Sequence, residues 1–412
     1  MIGAEVDKAD AWIVDADRCS FNPEQARFGV DCIRVMSVVG AHSAVARWRR
    51  VMSEHFEVIH EYGLLPSNQP RVVVPLGSSL QCAEALQLHR PGRLLARLVT
   101  AVASRLASMG VMCPLGGRSL CIGSRASQAL PIGALQAGLD LELKNTGEDY
   151  ALYLGTPDAN RKTVVLPVGG LQSKIIYKMA ATQESRLSLK NEAEALAALQ
   201  NTVMGGNIPA ILDLVEGDNT LTLQQEFRPR IAAKGNKIKP AVMDFLVRLS
   251  TIDRKARPLS DLLEEMASER KELENGFRAI FSTVWRRLEE MADEGVKIWE
   301  HRSHGDFAPW NCVWTQQGLF VFDWEASRER DVAFSDVFSF VAKPYLYVHR
   351  RTKPSKLALK AKELAAIVSS ASKIPSHIID ACWMLWLLKQ THHKKDPLLL
   401  RSLELTSLQK GP

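Results

Sequence analysis

The feature that most constrains this chain is the run His304-Gly305-Asp306-Phe307-Ala308-Pro309-Trp310-Asn311, followed downstream by Phe322-Asp323-Trp324-Glu325. Asn311 comes five positions after Asp306, and Asp323 comes seventeen after it. Between Asn311 and Asp323 the sequence reads CVWTQQGLFVF, an apolar run, a polar turn at Thr315 to Gly318, and a second apolar run. That is the pattern of a short β-hairpin. A hairpin brings its two ends together, so Asn311 and Asp323 are expected side by side, with Asp306 on the loop just ahead of them. Phosphoryl transfer from a nucleotide needs such a set: a carboxylate for the hydroxyl proton, and an amide oxygen plus a carboxylate for Mg²⁺. A lone His-Gly-Asp would read as a turn or a helix cap. The spacing and the hairpin set this one apart.

On these residues the chain resembles the aminoglycoside phosphotransferase and choline kinase family, whose members share the protein-kinase-like fold. The resemblance implies that Asp306 is the catalytic base and that Asn311 and Asp323 are metal ligands. It also implies ATP, with GTP possible, as donor and Mg²⁺ as cofactor. His304 is expected to brace the loop, and Phe307 and Trp310 to pack. The family carries a further Asp that supports the catalytic loop. Asp336 in Asp331-Val-Ala-Phe-Ser-Asp336 is the best match, with Asp331 left open because the usual Gly-x-Pro lead-in is missing.

A nucleotide site also needs a cation for the phosphates. Ser173-Lys-Ile-Ile-Tyr-Lys178-Met reads as a β-strand ending in lysine, like the V-A-I-K strand of kinases. Lys174 and Lys178 fall on one face by period two, and Lys178 fits better because three apolar or aromatic residues precede it. The segment from Lys190 to Leu199 has a helical pattern with Leu196 and Leu199 on its buried stripe. The family pattern selects Glu192 as the ion-pair partner of Lys178, with Glu194 as the fallback. Ahead of the lysine strand, two strands flank a polar turn containing Gly155, Thr156, Arg161 and Lys162. In the family this loop covers the phosphates, through backbone N–H groups and, here, the two basic side chains. Its only loop glycine is Gly155, so it is not a G-x-G-x-x-G. Gln225, Glu226 and Phe227 end the strand that resembles the lead into the hinge, and their backbone is expected to face the base.

The implied fold is α+β and bilobal. An α/β N-terminal region, residues 1–140, is of unassigned role. A small lobe of antiparallel sheet plus one helix is expected over 141–228. A mostly helical large lobe with the catalytic loop is expected over 229–412. The 412 residues leave room for two or three folded units. A net charge of +6 is too modest to argue for a nucleic-acid partner. The first residues carry acids and no long apolar core, so no signal peptide is expected. The seven cysteines lack C-x-x-C spacing, which suits free thiols in a reducing cytoplasm.

Two charge blocks bear on the acceptor. Residues Asp261 to Glu300 carry eleven acids, interleaved with Arg and Lys at helical spacing as on a solvated helix face. Residues Lys343 to Lys362 carry seven basic residues and no acid, which suits a plain solvated segment, a phosphorylated ligand, or contact with a membrane surface or glycolipid. Only twelve residues separate Asp323 from Asp336, too few for a peptide-docking activation segment. A small hydroxylated acceptor is therefore expected, such as a sugar, an aminoglycoside-like compound or an amino alcohol. The competing expectations are a non-catalytic nucleotide-binding regulatory module and nucleotidyl transfer to a protein.

Overall fold

A computed structural model describes residues 11–16, 35–56, 58–65, 71–88, 102–110, 118–124, 149–155, 158–169, 175–217, 220–231, 238–267, 278–347, 353–394 and 397–408. The chain divides into two compact units. One comprises Met1–Leu189 and Ile211–Pro229, the other Lys190–Ala210 and Arg230–Pro412.

The first unit is built on a ten-stranded sheet. Its strands are β1 (Ala11–Asp15), β2 (Val35–Ala41), β3 (Val58–Leu65), β4 (Val72–Pro75), β5 (Arg118–Ser124), β6 (Asp149–Leu154), β7 (Lys162–Val168), β8 (Ile175–Ala180), β9 (Ile211–Glu216) and β10 (Leu221–Glu226). Their order is β1-β2-β5-β3-β4-β6-β7-β8-β10-β9. β1 and β2 are parallel, and β4 joins β6 antiparallel through Val72–Tyr153 and Val73–Leu152. The boundary expected at residue 140 therefore falls between strands of one sheet. Alternation along the strands sends successive side chains to opposite faces. Val72, Val74, Ala151, Leu166, Val168 and Ile176 pack on one face under helix α2 (Ser79–Ala85) and Leu86. Val73, Leu152, Val165 and Met179 share a second cluster with Tyr62, Leu64 and Leu120. A third cluster closes around helix α1 (His42–His55), with Trp48 and Met52 against Val38 and Cys121. Burial pushes the Cys121 thiol up to about 12, which makes it an inert packing group.

Helix α3 (Gln183–Gln200) follows β8 and carries the chain from the first unit into the second. Its Leu196 and Leu199 are fully buried, as the periodicity predicts, and so is Leu189. The second unit is mostly helical. It contains α4 (Ile238–Leu249), β11 (Lys255–Pro258), α5 (Leu259–Ala267), α6 (Arg278–Asp293), β12 (Lys297–Ser303), β13 (Cys312–Thr315), β14 (Gly318–Val321), β15 (Arg328–Val332), α7 (Ser335–Tyr347), α8 (Pro354–Ser372), α9 (Ile379–Lys394) and α10 (Pro397–Leu408). β12 lies between β11 and β15 in a three-stranded sheet, and β13 and β14 form a hairpin. The α+β class and a division into a sheet-bearing and a largely helical unit are as expected. Among the described residues, no helix is long and apolar enough to cross a membrane.

Candidate active site

The site is best followed along the chain from the end of β12. Strand β12 is held by β15, with His301 opposite Asp331 and Ser303 opposite Arg328. Beyond Ser303 the chain must turn sharply. Gly305 takes φ +77°, and a Cβ there would collide with the Ala326 carbonyl oxygen. This position therefore requires glycine. The turn leaves the His304 and Gly305 amides pointing inward, and the Asp336 carboxylate takes both, at 2.7 and 3.1 Å. Asp336 lies in the first turn of α7 and is buried. Asp331, the other candidate, accepts instead from the Ser303 hydroxyl at 3.2 Å and from the Val332 amide at 2.9 Å. Burial pushes the Asp336 carboxyl up to about 7, against the pull of its two amide donors.

His304 is fully buried. Its Nε2 donates to the Phe322 carbonyl at 3.0 Å, while Nδ1 accepts the Asp306 amide at 3.3 Å. This pairing specifies the neutral ring. Burial pushes its pKa down to about 4, despite the Phe322 carbonyl and the nearby Asp323 and Asp306 carboxylates. The ring sits 4.6 Å from Trp324 and 5.7 Å from Phe307. Phe307 in turn stacks on Phe245 at 5.6 Å and tilts against Phe340 at 5.5 Å. The apolar residues of the motif therefore fasten the loop to the core and leave the Asp306 side chain half-exposed.

Pro309 opens a short 3₁₀ turn ending at Asn311, a position where a missing N–H costs nothing. Asn311 is buried, and its Nδ2 donates to the Asp306 carbonyl at 2.9 Å and to Asp306 Oδ2 at 3.1 Å. The hairpin then forms in the expected register, Cys312 opposite Val321 and Thr315 opposite Gly318. The Phe322 amide donates to the Asn311 carbonyl at 3.1 Å, so Asp323 is the next residue beyond the closed end of the hairpin. Asp323 adopts φ +72°. A carboxylate held in the left-handed region at a loop of this kind is the sort of backbone outlier that accompanies function. Trp324 is fully buried and donates Nε1 to the Val321 carbonyl at 3.1 Å. The structure thus brings Asp306 and Asn311 into direct contact and sets Asp323 on the adjoining strand end.

Two residues of this network carry no obvious sequence signal. Asn191 on α3 donates to the Glu325 and Ser327 carbonyls at 2.6 and 3.1 Å, pinning the turn after Asp323. Lys343 on α7 is buried and forms an ion pair with Asp306 Oδ1. It opens the basic block of residues 343–362, but it points into the protein rather than to solvent. The signal that finds it is its spacing of seven from Asp336, two helical turns along one face. Lys360 and Lys362 of the same block bond to Tyr345 and Asp380. Residues 348–352 lie outside the described residues.

The remaining sequence-selected residues are distributed as follows. In the first unit, Lys178 is buried on β8, opposite Leu223 and Val164 and so on one sheet face with them. Gly155 donates its amide to the Lys162 carbonyl at 3.0 Å, and a Cβ on it would come within 2.9 Å of that same oxygen. Thr156 lies outside the described residues. Arg161 is exposed, whereas Lys162 bonds to Ser188 at 2.8 Å. Gln225 is fully buried opposite Ile176, Glu226 pairs with Arg228 at 2.7 Å, and Phe227 is half-buried. In the second unit, Glu192 is fully buried on α3.

Some acids of the stretch 261–300 have partners among the described residues. Arg257 meets Glu265 and Glu300, and Trp285 donates to Glu289. Among the described residues, no group of three or more His, Cys, Asp or Glu is arranged to hold a metal ion.

Residues 160–342 match the model of the phosphotransferase enzyme family. No curated protein sequence matches the chain. Similar solved structures include the gentamicin complex of APH(2″)-IIa, at 15% identity over 63% of this chain and 91% of that one with a TM-score of 0.41. They also include ADP-bound aminoglycoside phosphotransferase APH(2″)-Ib, at 16% over 63% and 91% with a TM-score of 0.39. A third is a thermostable mutant of aminoglycoside phosphotransferase APH(4)-Ia, at 12% over 63% and 94% with a TM-score of 0.41. The resemblance carried by the His304–Asn311 motif and its hairpin is borne out by the family model, which matches residues 160–342.

Proposed function

We propose that this protein transfers the γ-phosphoryl group of ATP to a hydroxyl of a small molecule. The observation that carries the reading is the contact of Asn311 with Asp306, on a loop whose following hairpin ends at Asp323. Asp306 orients the acceptor hydroxyl and takes its proton. The acceptor oxygen bonds to the γ-phosphorus, and the bond to the bridging oxygen breaks to release ADP. Little covalent chemistry falls to the protein, so positioning and charge supply the rate.

The residues fit Mg²⁺. The Asn311 Nδ2 is committed to Asp306, which leaves the amide oxygen as the atom offered to a cation beside the Asp323 carboxylate. Two hard oxygen donors are enough for this ion, because it takes further ligands from water and phosphate oxygens. When bound, it would neutralise charge on the transferring phosphate. Lys178, Gly155 and Arg161 would supply positive charge and backbone donors for the nucleotide. His304 and Asp336 support the loop.

A small acceptor is favoured by what fills the chain between Asp323 and Asp336. The turn at Ser327 and strand β15, paired to β12, occupy it and leave no room for a peptide platform. The acceptor is a sugar, aminoglycoside-like compound or amino alcohol.

The test is Mg²⁺-dependent ATP turnover with a panel of such acceptors, comparing the wild type with Asp306→Ala and following products by mass spectrometry. Phosphorylated acceptor from the wild type alone is the expected result. Nucleotide binding with no acceptor ever modified would favour a regulatory module, and added AMP would favour nucleotidyl transfer. Asp323→Ala should weaken nucleotide binding only when Mg²⁺ is present. Equal wild-type affinity with and without the metal would count against that role.

A further inference from the structure

We propose that Lys343 is a positioning residue for the transfer step, acting through Asp306; this rests on the function proposed above. Burying an ammonium group is expensive unless it is paired. The Lys343 side chain is 5% exposed and the Asp306 side chain it meets is 42% exposed. The lysine is therefore the fixed member of the pair, and the carboxylate reaches it from the open side.

The two oxygens of Asp306 are held from different directions. Oδ1 meets Lys343, and Oδ2 accepts from Asn311 Nδ2 at 3.1 Å. A carboxylate gripped at both oxygens cannot rotate about its terminal bond. Its plane, and with it the direction in which it accepts a hydroxyl proton, is set before substrate arrives.

The grip also has a common origin. α7 carries both Lys343 and Asp336, and Asp336 takes the amides of His304 and Gly305, the two residues before Asp306. One rigid helix therefore sets the loop backbone and the tip of its carboxylate together.

The experiment compares Lys343→Met, Lys343→Arg and Asp306→Asn with the wild type, reading kcat and KM for Mg-ATP on the panel above and with water as acceptor. Lys343→Met should lower kcat by about 10- to 100-fold, the size of a misplacement of about 1 Å. KM for Mg-ATP should stay within about threefold, because the lost contact is to the base and not to the nucleotide. Lys343→Arg, which keeps the cation, should recover most of the loss. If Lys343→Met shows no cooperative melting transition, Lys343→Gln is judged by the same criteria. Wild-type kcat in the Met variant, alongside an inactive Asp306→Asn, would overturn this inference and leave the proposed function standing. A raised KM with unchanged kcat would also overturn it, by making Lys343 a nucleotide ligand. If the wild type transfers phosphate to no acceptor and not to water, the proposed function falls and this inference with it.

Discussion

Two loops of this chain carry the residues selected for chemistry, and they are built in opposite ways. The loop from Ser303 to Asn311 is fixed by side chains. Asp336, His304, Phe307 and Asn311 are all buried and each meets a specific partner. The described residues of the turn ahead of β7 are held chiefly at their backbone amides. The Gly155 amide bonds to the Lys162 carbonyl, the Asn160 amide to Asp158 Oδ1 at 3.0 Å, and the Arg161 amide to the Asp158 carbonyl at 3.1 Å. Its own side chains, where described, are exposed. A loop that presents one carboxylate must be exact in its side chains, whereas a turn that offers N–H groups needs only the right backbone path. Substitution should therefore be costly in the first and mild in the second.

The largest effect is expected at Asp306, the proposed base. Asp306→Asn keeps shape and hydrogen-bonding reach but cannot take a proton, and should lower kcat by about 10²- to 10⁴-fold. Nucleotide affinity should change by no more than a few-fold, as measured by titration calorimetry. Next comes the backbone of the same loop. Gly305→Ala places a side chain in the left-handed region and against the Ala326 carbonyl. It should destabilise the protein by about 2–5 kcal/mol in a denaturant melt, from combined backbone strain and overpacking.

A smaller effect depends on pH. In the unfolded chain Asp336 ionises near 3.8, while in the folded protein it does so at about 7. Between those values the folded state holds the extra proton, so this group lowers stability as pH rises. His304 behaves oppositely, with 6.5 in the unfolded chain and about 4 when folded. There the unfolded state holds the extra proton, so stability falls as pH falls. The two oppose each other between about pH 4 and 6.5. Asp336→Asn removes one of them. Its melting temperature should drop steadily over that window on acidification, while the wild type changes less. An identical pH dependence in the two proteins would refute the assignment. The smallest effect is expected in the other loop, where Arg161→Ala should weaken nucleotide binding by no more than about fivefold, as suits an exposed charge. A loss comparable to that of Asp306→Asn would erase the contrast between the loops.

The same contrast explains what could be read in advance. The hairpin from Cys312 to Val321, the Lys178 strand and the Leu196/Leu199 stripe follow from periodicity and turn chemistry, because each is decided by neighbours in sequence. His304, Asp306 and Asn311 stood out because their spacing is fixed by one short turn. Asp336 was separable from Asp331 only once α7 was seen to point it at the His304 and Gly305 amides. Asn191 could not be read at all, since its partner lies 134 residues away, and Lys343, 37 residues from its own, is legible only through its spacing from Asp336. Lys343 was instead grouped with neighbours in sequence that share its charge but not its surroundings. The pairing of β4 with β6 is of the same kind, a contact between distant strands that leaves no local trace.

That last pairing has a practical consequence. A protein trimmed to begin at residue 160, where the family match starts, would lose β6 and every strand before it. β7 would become an open edge, and Leu166 and Val168, now 1% and 0% exposed, would lose the cluster that covers them. A bare, apolar edge strand of this kind recruits other chains. Anyone wishing to express the phosphotransferase segment by itself should expect inclusion bodies rather than a smaller working protein.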